Sequence, residues 1–399
     1  MSRSSIKPFP KWPIVENDEI EAVVETLKSG ILTTGPKREE FERKFAQYHE
    51  VPYAVSASSG TAAIHLALMG LDIGPGDEVI VPAYTFIGTV TPLIAQGAMP
   101  VFADVELDTF NIDPSSIEER ITSRTRAIIV VHLYGLPANM KEIMDVATDS
   151  GITVIEDCAQ SPGAEYNKRK VGTIGHVGCF SFQQSKNMFT GEGGMLISSD
   201  EELCRKARAY RHQGGFYTGE KWPLIEVQGL KYELTEMQSA LGIVQLTKLD
   251  HNNSKRIRNA ELLTRMLSGR DDIILPIQQE NVKHVYHVYA IRLAENLRKH
   301  IDEIVVASRE SRIPVGRGYV RPLYGEPVFE ERVGKGRAKC PWDCHMNISS
   351  QHSLEPCPNA ERLCQETILL PVYPTLSTED INWEGEVVDR ILEGARRSS

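Results

Sequence analysis

Long apolar runs are missing from this 399-residue sequence. No stretch of about eighteen consecutive apolar residues occurs, and a helix that spans a membrane needs about that many. The first residues, MSRSSIKPFPKWP, also have no apolar segment of the kind that a signal peptide carries. The simplest expectation from these absences is a cytoplasmic protein.

An excess of positive charge is missing as well. The chain has 44 Lys and Arg against 54 Asp and Glu, which gives a formal net charge of −10. This balance argues against a protein built to bind nucleic acid or an anionic membrane, although a local basic patch stays compatible with it. Hydrophobic residues make up 41% and charged residues 25% of the chain, as in an ordinary globular protein.

Cysteine is scarce and its number is odd. Seven cysteines are scattered through predicted strands and helices, which favours reduced thiols over a disulfide framework. Four of them, with two histidines, lie near the C-terminus: Cys340, Cys344, His345, His352, Cys357 and Cys364. Their spacing fits no standard zinc finger, and we therefore expect no metal.

Apolar segments alternate with helical patterns between residues 55 and 200. The predicted strands cover residues 78–81, 101–105, 127–131, 153–155 and 177–182. Such alternation indicates βαβ units, and therefore an α/β fold whose large domain contains a mostly parallel sheet covered by helices. We predict that this domain, with an N-terminal helical segment, covers residues 1–254. A smaller α+β domain is predicted for residues 255–399.

The most informative stretch runs from Thr153 to Met195. The predicted strand that begins at Thr153 ends just before Asp157, and the strand at 177–182 is followed by a polar turn that carries Lys186. In open α/β sheets, ligands bind at the carboxyl ends of the strands. The sequence therefore predicts one carboxylate and one lysine at the same edge of the sheet.

This pair of residues suits pyridoxal phosphate. The cofactor needs an amine that holds its aldehyde as a Schiff base, and an anion that keeps its ring nitrogen protonated. Lys186 and Asp157 are our candidates for these two roles. A lysine partly removed from water also loses proton affinity, so that Lys186 can move the substrate's proton.

Two segments are candidates for binding the phosphate. Small residues precede a strongly apolar helix in VSASSGTAAIHLALMGL, and the free amides at the start of such a helix bind phosphate. Gly60 and Thr61 lie at this start, although any buried helix also needs small residues there. The hydroxyl of Ser181, five residues before Lys186, is a third candidate.

Two motifs, IEDCAQ and SFQQSKNMFTGEGG, resemble those of the DegT/StrS family of pyridoxal-phosphate-dependent sugar and aminocyclitol aminotransferases. The similarity extends from SGILTTGP near residue 30 to LPVYPTLSTED near residue 375. It implies the fold of aspartate aminotransferase, known as fold type I. It also implies that Lys186 forms the internal aldimine, that Asp157 pairs with the pyridine nitrogen and that Gln160 lies close to the ring.

The same resemblance implies further roles in binding. Ser181 would bind the phosphate, Phe86 would lie over the face of the cofactor ring, and Gly60 and Thr61 match the family's SGTAAL-like motif. A later segment, GYVRPLYGEP, resembles the part that faces the substrate and carries Tyr319, Arg321 and Tyr324.

A departure from the family pattern lies in the segment GLKYELTEMQSALG. In the family this segment crosses to the neighbouring subunit and touches its cofactor phosphate, which implies a homodimer with a shared active site. Many relatives have the triplet NYR where this chain has Lys231, Tyr232 and Glu233. Lys231 brings a positive charge toward a phosphate, whereas Glu233 would repel it.

The resemblance implies transamination. Glutamate or glutamine would donate an amino group, and a nucleotide-linked keto-sugar or a keto-cyclitol would receive it. Two alternatives remain open at this point. One is a pyridoxal-phosphate-dependent sugar dehydratase, although a variant branch that removes a hydroxyl has histidine in place of Lys186. The other is a non-catalytic regulator on the same fold.

Overall fold

The computed structural model describes residues 8–216, 224–334, 336, 340–343 and 355–398. Of the cysteine and histidine cluster, Cys344, His345 and His352 lie outside these residues. Among the helices described, none is both long enough and apolar enough to cross a membrane.

The strands follow one another along the chain as β1 (Tyr53–Ala57), β2 (Glu78–Pro82), β3 (Met99–Ala103), β4 (Thr125–Val131), β5 (Thr153–Asp157), β6 (Glu165–Tyr166), β7 (Arg169–Lys170), β8 (Val177–Ser181), β9 (Gly194–Ser198), β10 (Gly215–Phe216), β11 (Leu224–Ile225), β12 (Ile273–Ile274), β13 (Val282–Lys283), β14 (Tyr289–Leu293), β15 (Gly316–Arg317) and β16 (Thr367–Leu370). Between and around them lie α1 (Asn17–Ser29), α2 (Pro36–His49), α3 (Gly60–Gly70), α4 (Thr91–Gln96), α5 (Pro114–Glu119), α6 (Met140–Ser150), α7 (Glu201–Arg211), α8 (Glu236–Leu267), α9 (Glu295–Arg298), α10 (Ile301–Glu310), α11 (Pro327–Glu330), α12 (Pro358–Glu366) and α13 (Thr378–Arg397).

A seven-stranded sheet organises the first part of the chain, in the order β1-β9-β8-β5-β4-β2-β3. Neighbouring strands from β8 to β3 are parallel, and β9 runs opposite to both of its neighbours. The apolar strands β2 to β5 are buried, as expected of a parallel sheet with both faces covered. The predicted mostly parallel sheet covered by helices is confirmed.

Helix α3 illustrates why this sheet is covered so completely. Its sequence is apolar on nearly every side, and every residue from Ala62 to Gly70 is buried. The helix packs against β8 and β9. A helix that is apolar on nearly every side must be buried along its whole length. Its N-terminus therefore lies inside the protein, at the edge of the sheet.

The later part of the chain contains a second, antiparallel sheet in the order β12-β14-β16-β15. It shares a hydrophobic core with α10, α13 and the C-terminal part of α8. The sequence predicts one helix near Thr235 and another that begins at Lys255. The structure instead has the single helix α8, which continues through residues 254 and 255. The boundary predicted between the two domains at residue 254 falls within this helix and stays a prediction.

The register of the central strands places their ends together. Asp157, the last residue of β5, lies opposite Val131 of β4 and Cys179 of β8. Ser181 ends β8 in the same direction. The predicted position of Asp157 at the carboxyl end of a buried strand is thus confirmed.

Glu156 fastens the loop that returns to this sheet edge. Its carboxylate is fully buried and accepts hydrogen bonds from the amides of Gly172, Ile174 and Gly175 at 2.6–2.8 Å. The ring of His132 donates to it at 2.9 Å, since a backbone amide already donates to the other ring nitrogen. Burial alone would raise the pKa of Glu156, but these hydrogen bonds outweigh burial and lower it.

We expect Glu156→Gln to lower the free energy of unfolding by about 2 to 4 kcal/mol, because the new amide group would face N–H groups that need an acceptor. Chemical denaturation at neutral pH measures the loss, with the exposed Glu118→Gln as the matched control. The folded-state pKa of Glu156 is lowered, and the loss should therefore shrink as the pH falls through that pKa. Equal stability of both variants at neutral pH would contradict this role.

Candidate active site

A cavity of about 510 Å³ opens where β5, β8 and the start of α3 meet. Its lining includes seven of the eight residues predicted to act on or bind the cofactor: Gly60, Thr61, Phe86, Asp157, Gln160, Ser181 and Lys186. Lys231 does not line it. The structure therefore gathers these seven residues from four separate chain segments around one space.

Asp157 forms the inner wall of the cavity. Its side chain is 5% exposed, and it accepts hydrogen bonds from the hydroxyl of Thr89 at 2.8 Å and from the amide of Ala159 at 3.0 Å. Burial raises the pKa of Asp157 above its ordinary value, while these donors and Lys186 act in the opposite sense. Among the described residues, no basic side chain forms an ion pair with Asp157. A cationic group in the cavity would supply that missing partner.

Lys186 lies in the turn that follows β8. Burial lowers the pKa of its amine, and the carboxylates of Asp157 and Glu192 oppose this only in part. The backbone of the turn is held by the indole of Trp12, which donates to the carbonyl of Lys186 at 3.2 Å. A larger fraction of this amine is thus unprotonated near neutral pH than for an exposed lysine.

The start of α3 forms the opposite end of the cavity. Ser59 caps the helix by accepting a hydrogen bond from Ala62 at 3.1 Å, and within the described residues the amides of Gly60 and Thr61 donate to no acceptor. A Cβ atom on Gly60 would stand 2.7 Å from that of Ser181, so only glycine allows this contact. The two free amides and the Ser181 hydroxyl form a site suited to a phosphate.

Phe86 and Gln160 line the space between these two ends. The ring of Phe86 is 58% exposed beside the cavity, where it can stack on a planar ring. Gln160 is buried and its orientation is fixed, because its oxygen accepts from the amide of Tyr134 at 2.8 Å and its nitrogen donates to Tyr319 at 3.4 Å.

Lys231 lies away from the cavity of its own chain. It forms a β-bridge with His212, its side chain is 62% exposed, and its ammonium group pairs with the carboxylate of Glu233. Glu233 also accepts from His212 at 2.8 Å and from the hydroxyl of Thr34 at 3.1 Å. The acidic residue that would repel a phosphate is therefore held by several donors.

The segment predicted to face the substrate has one of its three named residues in the cavity and two outside it. Tyr319 lines the cavity, and burial raises its pKa. The hydroxyl of Tyr324 instead donates to Glu361 at 2.6 Å and accepts from the amide of Cys357 at 3.0 Å, so this side chain is occupied elsewhere. Arg321 is half exposed, 3.9 Å from Glu326.

Among the polar residues of the cavity wall that sequence reasoning missed are Thr89, Glu192 and His287. Thr89 lies in a turn after β2 and holds Asp157, and nothing in the sequence around it signals that contact. Glu192 was visible only as part of the glycine-rich stretch after Lys186. His287 precedes β14 and comes to the cavity from a distant part of the chain.

These surroundings fit pyridoxal phosphate. The buried carboxylate of Asp157 has no cationic partner in the described chain, which suits a protonated ring nitrogen. The amine of Lys186 suits an aldehyde, the ring of Phe86 suits a planar heterocycle, and the two free amides at Gly60 and Thr61 suit a phosphate.

Comparison with known proteins gives the same assignment. The DegT/DnrJ/EryC1/StrS aminotransferase family matches residues 13–391. The L-glutamine:2-deoxy-scyllo-inosose aminotransferase of Streptomyces kanamyceticus is 38% identical over 81% of this chain and 80% of that protein. The spore coat polysaccharide biosynthesis protein SpsC of Bacillus subtilis is 33% identical over 98% of this chain and 99% of its own length.

Solved structures agree with the fold. The crystal structure of S. venezuelae DesV in complex with a ketimine intermediate superposes with a TM-score of 0.83 and 33% identity, and covers 95% of this chain and 94% of DesV. An aminotransferase from Psychrobacter cryohalolentis gives a TM-score of 0.87, also at 33% identity, over 97% of this chain and 99% of its own. The chain belongs to the DegT/DnrJ/EryC1/StrS aminotransferase family and is a pyridoxal-phosphate-dependent transaminase.

Proposed function

We propose that this protein transfers the amino group of glutamate or glutamine to a hydroxylated cyclic ketone, either a keto-cyclitol or a nucleotide-linked keto-sugar. The single observation that carries the proposal is that Asp157 and Lys186 line one cavity whose far end is the free start of α3. This is the arrangement of anion, amine and phosphate site that amino transfer on pyridoxal phosphate requires.

The residues divide the work of two half-reactions. When bound, pyridoxal phosphate supplies an aldehyde that takes up the amino group and a ring that draws electrons from the reacting carbon. Asp157 binds the protonated ring nitrogen, while Gly60, Thr61 and Ser181 bind the phosphate. Lys186 Nζ removes a proton from the carbon that carries the donor's amino group, and it delivers a proton to the acceptor's carbon in the second half.

The environment of Lys186 supports this double use. Burial lowers the pKa of its amine, so that more of the free base is present at neutral pH than in an exposed lysine, while Asp157 and Glu192 favour the charged form. A group that must accept a proton in one step and release it in the next works best with a pKa near the working pH. The net reaction converts the donor to a 2-oxo acid and the ketone to an amine.

The comparisons support a cyclic, hydroxylated acceptor. The relative from Streptomyces kanamyceticus acts, by its name, on 2-deoxy-scyllo-inosose, and SpsC is named for polysaccharide biosynthesis. A keto-cyclitol is therefore the first acceptor to test, followed by nucleotide-linked keto-sugars.

The wild-type protein loaded with pyridoxal phosphate should release a 2-oxo acid from glutamate or glutamine, and should then aminate a ketone from a panel of keto-cyclitols and keto-sugars. Asp157→Asn should slow both halves by about 100-fold or more, because a neutral amide no longer holds the ring nitrogen positive. Stopped-flow absorbance of each half-reaction measures this. If neither donor yields an oxo acid while a hydroxyl group is lost from the ketone, the reaction is dehydration and the proposal is wrong.

Lys186→Ala should remove the visible absorbance band of the bound cofactor, since the variant has no amine to hold the aldehyde. Borohydride reduction followed by peptide mass spectrometry should label the peptide with Lys186 in the wild type and no peptide in the variant. Lys141→Ala, at an exposed lysine away from the cavity, is the matched control and should keep the label. A variant that stays yellow, or a label on another lysine, would remove the assignment.

We also propose that the protein works as a homodimer. On α1, the side chains of Ile20, Val24 and Leu27 lie on one face of the helix and are 39–51% exposed. The loop that follows continues this face and is joined to the Lys231 segment, because the amide of Glu236 donates to the carbonyl of Leu32 at 3.1 Å.

A second copy of the chain is the occupant that this surface suits best. The exposed apolar face and the exposed Lys231 lie on connected segments, so that a partner which covers the first also approaches the second. In such a dimer Lys231 would reach the partner's phosphate site, as the family resemblance implies. Its pairing with Glu233 would then position the ammonium group.

The double variant Ile20→Asp/Leu27→Asp should convert the dimer to a monomer, because a charge on this apolar face would have to be buried in the interface. Sedimentation velocity of the holoprotein at micromolar concentration measures the change. Glu25→Lys, at an exposed polar position on another side of the same helix, serves as the control and should remain dimeric. A wild-type protein that sediments as a monomer would contradict the proposal.

A further inference from the structure

His287 is a wall residue of the cavity to which the proposed mechanism gives no role. Its side chain lines the same space as Lys186, and its backbone is held on both sides. The amide of His287 donates to the carbonyl of Tyr134 at 2.8 Å, and the guanidinium of Arg256 donates to the carbonyl of His287 at 3.1 Å. The position of the ring is therefore fixed by the fold.

A chain of buried hydrogen bonds also fixes which ring nitrogen carries the proton. The carbonyl of Pro162 can only accept, so Asn253 donates to it through Nδ2 at 2.9 Å, and Oδ1 of Asn253 is an acceptor. Asn187 Nδ2 donates to that oxygen at 2.9 Å and to the carbonyl of Val285 at 3.1 Å. Asn187 Oδ1 must then be the acceptor toward His287, whose Nδ1 lies 3.3 Å away.

The second nitrogen of the ring, Nε2, therefore presents a lone pair. Burial, together with the nearby charges of Lys186 and Arg256, lowers the pKa of His287 well below its ordinary value, so the ring is neutral. Within the described chain, no donor forms a hydrogen bond with Nε2. A rigid and neutral acceptor thus lies in the wall of the cavity, beside the reactive amine.

We propose that Nε2 of His287 accepts a hydrogen bond from a hydroxyl group of the ketone substrate, which makes His287 a specificity-determining residue. This inference rests on the proposed function. A hydroxyl is the neutral donor that sugars and cyclitols carry on the carbons around the ketone. The carboxylates of glutamate, by contrast, offer only acceptors, and its amino group goes to the cofactor, so the half-reaction with glutamate does not use this nitrogen. Glutamine carries a side-chain amide that can donate, and glutamate is therefore the donor used in the test.

Two substitutions separate this role from that of supporting the fold. In His287→Asn, the side-chain amide can replace Nδ1 as the donor to Asn187 but leaves no acceptor at the place of Nε2. In His287→Gln, the longer side chain can place its oxygen near that position but gives up the donor to Asn187. The two variants therefore each keep one of the two hydrogen-bonding functions of the ring.

The experiment measures kcat/KM of the holoenzyme for three reactions. They are the half-reaction with glutamate, the amination of the hydroxylated ketone that the wild type uses best, beginning with 2-deoxy-scyllo-inosose, and the amination of cyclohexanone, which has no hydroxyl. We expect His287→Asn to lower the second value by about 10- to 100-fold and to leave the other two unchanged. His287→Gln should recover part of the loss.

Equal losses in all three reactions would overturn the inference, because they would mean that His287 acts through Lys186 or through the fold. An unchanged value for the hydroxylated ketone would overturn it as well. Cofactor absorbance and melting temperature of both variants show whether the site is intact. A wild type that aminates no ketone contradicts the proposed function itself, which distinguishes the two failures.

Discussion

The carboxyl end of β5 carries two neighbouring carboxylates, and the site depends on how differently they are held. Successive side chains of a strand point to opposite faces, so Glu156 and Asp157 enter different surroundings. Glu156 receives four hydrogen bonds that keep it ionised, and its pKa is lowered. Asp157 receives two and no ion pair among the described residues, and burial raises its pKa. The hydrogen bonds of Glu156 stabilise the fold, whereas the carboxylate of Asp157 stays available to a cationic ligand.

This contrast explains why the cavity lies where it does. The loop that Glu156 fastens comes directly before β8, which ends in Ser181 and continues into the turn of Lys186. The same edge of the sheet receives the start of α3, because an apolar helix must be buried along its whole length. The need to bury α3 therefore also places its free N-terminal amides at the cavity, where they can bind a ligand.

Much of this arrangement could be predicted from local sequence. Apolar runs indicate buried strands, and the ends of parallel strands share an edge, so Asp157, Ser181 and Lys186 could be expected together. The small residues before α3 likewise indicated Gly60 and Thr61. The continuous helix α8 could not be predicted, because its first half packs against α2 whereas its last turns pack in the core of the second sheet.

The contacts that sequence reasoning missed join residues far apart in the chain. Thr89 and Asp157 are 68 positions apart, and His287 and Asn187 are 100 positions apart. Such pairs follow from the path of the whole chain, and no local pattern signals them. The predicted role of Lys231 shows another limit of sequence reasoning, because the phosphate that it would bind belongs to the site of a second subunit.

The indole of Trp12 joins the beginning of the chain to the middle of the active site. Besides its hydrogen bond to the carbonyl of Lys186, 174 positions away, Trp12 lies 5.1 Å from the fully buried guanidinium of Arg256 and packs edge-on against Phe189. The amino-terminal segment therefore helps to hold the turn that carries Lys186. An affinity tag or fusion partner attached there is best separated from Trp12 by a spacer, or moved to the other terminus.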